Sequence, residues 1–258
     1  MFRQNREFWL YFLGVILLFF FIFGILENGF TQSSFTFSSF PFNLFKQEPL
    51  VVVEETVPQL DQSKDYYAIL STGEGKITVD LFETNAPNTV ANFIHLANKN
   101  YYYNLEFHRY LPGLLLQGGS RNTKNKDPND DAFGGPGYTI PDEINWDSLD
   151  YPENFRAILQ GQGYTSTPNV ESKKMGKFSV AMAGNGPNTA GSQFFIVLAE
   201  NTDPRLAQLE GRHTVFGHVI GGFETINAIN ARPAISLGIN DSRPLNLVLY
   251  SVQIEYKD

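Results

Sequence analysis

The stretch that most restricts what this chain can fold into is Ala183 to Leu198, AGNGPNTAGSQFFIVL. Glycines at 184, 186 and 191 and a proline at 187 precede an apolar end, Phe194 to Leu198. Glycine admits positive φ and close backbone approach, and proline fixes its own φ. The segment reads as a tight, rigid loop that delivers Gln193 and Phe195 from the start of a strand. Such a loop carries a site or forms a hard corner in a β-protein, and the rest of the chain has to decide between these.

The surrounding pattern is one of many short strands. Tyr66 to Leu70 and Lys76 to Phe82 read as two strands, the second alternating, joined by a hairpin loop at Ser71 to Gly75. A helix starts at Asn85-Ala-Pro87, with proline in its first turn. Val90, Phe93, Ile94 and Ala97 follow at helical spacing, and Asn98 to Asn100 end it. Further strands are expected at Leu105 to Tyr110, Leu114 to Gln117, Phe178 to Ala183, Gln193 to Leu198, Thr214 to Ile220 and Leu247 to Tyr256. A second helix is expected from about Phe223 to Ala231, with Ile226 and Ile229 inward. The absence of a βαβ rhythm favours an antiparallel barrel or sandwich.

Ahead of this unit, Phe8 to Leu26 are 19 uncharged, almost wholly apolar positions. About 20 such residues span a bilayer, at ~1.5 Å per residue through ~30 Å of hydrocarbon. A cleaved signal sequence has a shorter core, usually ~7–15 residues, and a small-residue cleavage site that ENGFTQSS does not offer. The expectation is an uncleaved transmembrane anchor at 8–26. Arg3 and Arg6 precede the span and Glu27 follows it, so the tail 1–7 is expected in the cytoplasm and the rest outside it. Residues 27–64 read as a linker rich in Ser, Thr, Gln and Pro, with a recurring Phe that suits a membrane interface or docking on the folded part. The folded domain is expected over 65–258.

Several chemistries are excluded. With 19 Lys+Arg against 27 Asp+Glu the chain carries −8 and has no basic run, which disfavours nucleic acid as a partner. The absence of Cys excludes disulfides, thiolate metal sites and a Cys nucleophile. The four His (95, 108, 213, 218) lack the spacing of a zinc site, so no metal and no cofactor is expected. Ser192 sits in A-G-S-Q, which is not a nucleophile elbow. Asp127 to Asp131 begins like a calcium loop but has Ala132 where the turn glycine belongs and Tyr138 where the bidentate Glu belongs. There remains Phe107-His108-Arg109, followed at Pro112-Gly113 by a turn and then by Gln117-Gly118-Gly119. An arginine inside an apolar strand pair needs a partner or a ligand. Either it is a structural Arg held by a carboxylate such as Glu143, or it belongs to a site.

FHRxxPGxxxQGG, MAxxGPNTxGSQFF and LEGRHTVFG, the last at Leu209 to Gly217, occur in the order and approximate spacing of the cyclophilins, and GYTIPDE at Gly137 to Glu143 adds to the match. From about Tyr66 to Tyr256 the chain thus resembles that family. The resemblance implies a mainly β fold, a closed eight-stranded antiparallel β-barrel capped by two helices, and peptidyl-prolyl cis-trans isomerase activity on proline-containing polypeptides. Carried over by position, Arg109 is the catalytic Arg and Gln117 its supporting Gln. Ala183, Asn185 and Gln193 contact the peptide backbone. Phe195, Leu115, Leu209 and His213 wall the proline pocket, Phe107 lies beneath the site, and Leu114 stands where the family has a pocket Phe. Gln208 replaces the family's Trp, which counts against binding of cyclosporin-type inhibitors. Asn145 to Lys174 is longer than the family's usual connection; Asp150 to Gly161 inside it looks like a short helix, and the insertion is either a tolerated surface loop or a border of the groove. The competing class is a binding module that holds proline segments without turnover.

Overall fold

A computed structural model describes residues 57–238, 241–244 and 246–257. The tail, the expected anchor at 8–26 and the linker up to residue 56 lie outside the described residues. Among the described residues no helix is long and apolar enough to cross a membrane. The last linker residues are described, and Leu60 packs on the main core while the Lys64 ammonium sits 3.9 Å from the centroid of the Tyr256 ring.

Alternation makes the first strands. β1 (Asp65–Thr72) buries Tyr66, Ala68 and Leu70, and β2 (Gly75–Leu81) buries Ile77, Val79 and Leu81, one face each. They pair antiparallel from Tyr67 with Asp80 to Thr72 with Gly75. Helix α1 (Pro87–Asn98) begins with proline at its first turn, where the missing N–H costs nothing. Its free amides are capped from outside: the Glu143 carboxylate accepts from the Asn88 N–H at 3.0 Å and the Thr89 N–H at 2.8 Å, and from both side chains. Glu143 is therefore committed to a helix end and does not hold Arg109.

The chain continues through β3 (Leu105–Glu106), β4 (Arg109–Leu111), β5 (Leu115–Gly118), α2 (Glu153–Gly161), β6 (Ser179–Met182), β7 (Phe194–Val197), β8 (Val215–Gly221), α3 (Phe223–Asn230), β9 (Ala234–Gly238), β10 (Asp241–Pro244) and β11 (Val248–Lys257). The strands form one curled antiparallel sheet in the order β3-β11-β1-β2-β8-β6-β7-β5-β4-β10-β9. Among the described residues there are eleven strands and three α-helices, not the expected eight and two. The surplus has identifiable sources. β3 and β4 are halves of one segment interrupted at Phe107-His108, β9 and β10 form an unforeseen hairpin beside β4, and α2 is the helix inside the 145–174 insertion. At the interruption the Phe107 N–H donates to the Leu247 carbonyl at 3.0 Å and the His108 N–H to the Gln117 carbonyl at 3.1 Å. One segment thus passes from pairing with β11 to pairing with β5.

β7 explains why FFIV is an unbroken apolar run: both faces of the strand are covered. Phe194 and Ile196 enter the main core under α1, while Phe195 and Val197 enter a second cluster with Leu114, Leu115, Ala181, Leu206 and Val215. In the main core Phe93 of α1 meets Phe216, Tyr102 and Phe194 at ring separations of 5.1, 5.1 and 5.6 Å. Burying each such ring contributes on the order of 2–3 kcal/mol. The second cluster is smaller and lies directly behind the site.

Candidate active site

The segment 183–193 is built as its composition requires. The Thr189 hydroxyl accepts from the Asn185 N–H at 2.8 Å and donates to the Gly186 carbonyl at 2.8 Å, closing a turn in which Asn188 takes a φ of +57°. At its far end Ser192 is buried; its hydroxyl donates to the Gly119 carbonyl at 2.8 Å and meets the Tyr101 hydroxyl at 2.9 Å. The Ala183 N–H donates to the Gln193 carbonyl at 2.9 Å, so the loop is pinched at its base.

Between this loop and the β4–β5 pair lies a groove of about 900 Å³. Arg109, Gln117, Ala183, Asn185 and Gln193 line it, and so do Leu115, Phe195, Leu209 and His213. The two other expected residues sit behind it. Phe107 is fully buried, with its ring 6.3 Å from that of Phe194, and Leu114 packs in the second cluster. The Leu114 backbone closes the β4–β5 turn, its N–H donating to the Leu111 carbonyl at 2.9 Å and its carbonyl accepting from the Leu198 N–H at 2.8 Å.

Arg109 and Gln117 face each other across β4 and β5. The Arg109 Nη1 approaches Gln117 Oε1 at 3.4 Å; Gln117 Nε2 donates to Gln193 Oε1 at 2.9 Å; Gln193 Nε2 donates to the carbonyls of Ala132 and Gly134, both at 2.9 Å. Amide follows amide from the guanidinium to a loop backbone, so each carbonyl oxygen's orientation is fixed by its own donor. The apolar end is closed by an edge-to-face pair, the Phe195 and His213 rings 5.2 Å apart at 90°. His213 Nδ1 donates to the Met182 carbonyl at 3.0 Å, which leaves Nε2 an acceptor. Burial holds this imidazole's pKa down to about 4, against the raising effect of the Met182 bond, so the ring is neutral at physiological pH.

Two contributors were not expected from the sequence, and a third was left there as one of two alternatives. His108 lines the groove and is buried; burial, with Arg243 next in importance, brings its pKa to about 4 against the raising effect of the Gln193 side chain. Its adjacency to Arg109 in FHR was the one available signal. Arg243 of β10 pairs with Glu106 at 2.6 Å and with Asp131, and thereby anchors the turn that presents the Ala132 and Gly134 carbonyls. The third is the insertion. Ile144, Trp146, Leu149, Leu159 and Tyr164 form a small core of their own, and the Tyr151 hydroxyl donates to the Glu210 carboxylate. Arg212 Nε donates to Gln162 Oε1 at 3.0 Å. The insertion thus packs on the stretch between Leu209 and His213, two walls of the groove.

A family profile described as cyclophilin type peptidyl-prolyl cis-trans isomerase/CLD matches residues 67–253. Similar chains include a peptidyl-prolyl cis-trans isomerase-like 2 of Cryptococcus neoformans, 32% identical over 204 residues, covering 77% of this chain and 30% of the relative. Peptidyl-prolyl cis-trans isomerase B of Streptomyces anulatus is 32% identical over 211 residues, with 75% of this chain and 98% of the relative covered. Among solved structures, a cyclophilin type peptidyl-prolyl cis-trans isomerase of Cryptosporidium parvum, crystallised in the presence of the dipeptide Ala-Pro, superposes with a TM-score of 0.53 at 28% identity, over 73% of this chain and 98% of that one. This chain spans only about 30% of the length of the Cryptococcus relative.

Proposed function

The chain belongs to the cyclophilin-type peptidyl-prolyl cis-trans isomerase family, and from that premise we propose that its folded unit accelerates cis–trans isomerisation of X-Pro bonds in polypeptides. The observation that carries this reading is the Arg109–Gln117–Gln193 relay set against an apolar pocket. An X-Pro bond rotates over ~18–20 kcal/mol because amide resonance must be broken, and no bond to the substrate has to form. The site has only to favour a twisted amide whose nitrogen has become pyramidal and basic. Arg109 donates to that nitrogen or to the prolyl carbonyl, and Gln117 keeps the guanidinium in place so that little reorganises during the event. Phe195, Leu115, Leu209 and the neutral His213 grip the proline ring. Asn185 and Gln193 hold the flanking backbone, so that one side of the bond rotates against the other. The Ala-Pro dipeptide used with the Cryptosporidium neighbour is the smallest ligand of this kind.

Replacing Arg109 by Ala is expected to lower kcat/KM on a proline peptide at least tenfold, ~1.4 kcal/mol, with the unfolding midpoint unchanged. An unaltered rate would remove Arg109 from the mechanism. A second reading, a proline-binding module without useful turnover, is favoured by Gln208 and Leu114 at positions where the family has aromatic rings. Exchange measurements on an X-Pro peptide separate the two, since binding without faster exchange is the module's signature.

The curled sheet, with the ends of its strand order joined through 105–111, supports a closed eight-stranded barrel once β3 and β4 count as one strand and the β9–β10 hairpin is set aside. The apolar run Phe8 to Leu26 behind Arg3 and Arg6 supports a single-pass anchor with the isomerase outside the cytoplasm, where its clients would be proteins folding at that membrane face. Protease added to intact cells should then remove the folded unit, and full protection would reject that orientation.

A further inference from the structure

The groove is cationic in an acidic protein. Its lining includes two guanidinium groups, Arg109 and Arg121, and no Asp or Glu side chain, although the chain carries −8. The two histidines on its walls are neutral near pH 7. Arg109 is engaged with Gln117. Arg121 opens the short 3-10 turn Arg121–Lys124, is exposed, and among the described residues its guanidinium makes no hydrogen bond or ion pair. Of the carboxylates on the neighbouring loops, Asp131 is paired with Arg243, Asp130 accepts through Oδ2 from Asn125 Nδ2 at 2.8 Å, and Asp142 accepts from the Asn188 N–H at 2.8 Å.

The position of Arg121 is fixed relative to the relay. A Cβ on Gly134 would lie 2.6 Å from the Asn122 nitrogen and 3.0 Å from the Arg121 nitrogen, so these backbones are in contact. The carbonyl of that same Gly134 accepts from Gln193. Arg121 therefore stands beside the loop carbonyl that holds Gln193.

We propose that Arg121 is a specificity-determining residue that pairs with an Asp or Glu side chain of the substrate, a few residues from the proline held at Arg109. This rests on the isomerase reading. The pairing is exposed, so it is modest and salt-sensitive. The test is kcat/KM on three sets of peptides that differ only in carrying Glu, Gln or Lys at one to three residues on either side of a single proline. The full-length wild-type protein should prefer Glu over Lys by about threefold or more at one of those positions in low salt, and less at 0.5 M NaCl. Arg121→Glu should reverse the order at that position. A preference below threefold at every position, or one that survives Arg121→Glu, overturns the proposal while leaving the isomerase reading intact. Failure to isomerise any of the peptides overturns that reading and this inference with it.

Discussion

Arg109 reaches Gln117 through a 3.4 Å contact, while the next link, Gln117 to Gln193, is 2.9 Å. The longer link is the one at the guanidinium, and the shorter one ties the two amides to each other. Removing Gln117 therefore costs Arg109 one acceptor and Gln193 a donor together. Gln117→Ala is expected to lower kcat about three- to tenfold with KM little changed, whereas a change in KM alone would mean that Gln117 only binds. The resemblance of the motifs made these side chains legible; that an Arg in an apolar strand pair needs a partner or a ligand left a structural role equally open. The motifs did not reveal who holds whom: Glu143 was an eligible holder until the first turn of α1 claimed all its lone pairs. His108 was legible only as a neighbour of Arg109, since burial is not written in the residue itself. Its consequence for stability has a definite sign. A His whose folded-state pKa is about 4 binds fewer protons than the unfolded chain's at 6.5, so its contribution is complete above about pH 6.5 and is lost as pH falls toward 4. Thermal unfolding should show an acid limb of up to about 3 kcal/mol from this group. His108→Gln should remove this share of the limb and leave that of His213, and an unchanged limb would mean that the His108 ring is already solvated.

Among the elements, α2 was legible and its use was not. The pattern from Asp150 to Gly161 marks a helix, and α2 occupies Glu153–Gly161, but nothing local says what it docks against. The answer comes from Gly211, whose φ of +70° and missing Cβ let Leu159 and Tyr151 approach: a Cβ there would lie 2.6 Å from Leu159 Cδ1. Leu159 is fully buried between the insertion and the groove's wall. Leu159→Ala should cost about 2–4 kcal/mol locally and raise KM for proline peptides more than it lowers kcat, because the damage lies behind Leu209 and His213. Hydrogen exchange across 144–164 would locate the loss; protection unchanged there would show that the insertion does not depend on this contact. The β9–β10 hairpin is illegible in the sequence for a different reason. Its two strands are short, bounded by Pro233 and Pro244, and proline argues against a central strand. At the edge of the sheet, beside β4, that objection lapses, and Arg243 arrives under the groove.

For the molecule as a whole, the site exists because distant strands are brought level at one place. β5 supplies Gln117, the 183–193 loop supplies Gln193, and they meet because Gly119, just after β5, is locked to Ser192, just before Gln193. Gly119 follows β5 with a φ of +89°, where an L side chain is strained. Its own carbonyl accepts from Ser192 Oγ, and a Cβ on it would stand 2.4 Å from the Ser192 carbonyl oxygen and 3.1 Å from Gln193 Cα. Backbone cannot yield as a flexible side chain would, so Gly119→Ala must either push the 183–193 loop away or distort β5. The left-handed φ costs roughly 1–2 kcal/mol and the overlap roughly 1–3 more, which for a unit of this size lowers the midpoint by about 4–20 °C. Gly135 is the natural control: it lines the same groove, but a Cβ there meets nothing within 4 Å. Its change to Ala should leave stability within about 0.5 kcal/mol. Beyond stability, the displaced loop should carry Gln193 off Gln117, so that Gly119→Ala loses catalysis even at temperatures where it stays folded. Equal midpoints and equal rates for the two variants would show that the groove is set by each strand alone and not by the lock between them.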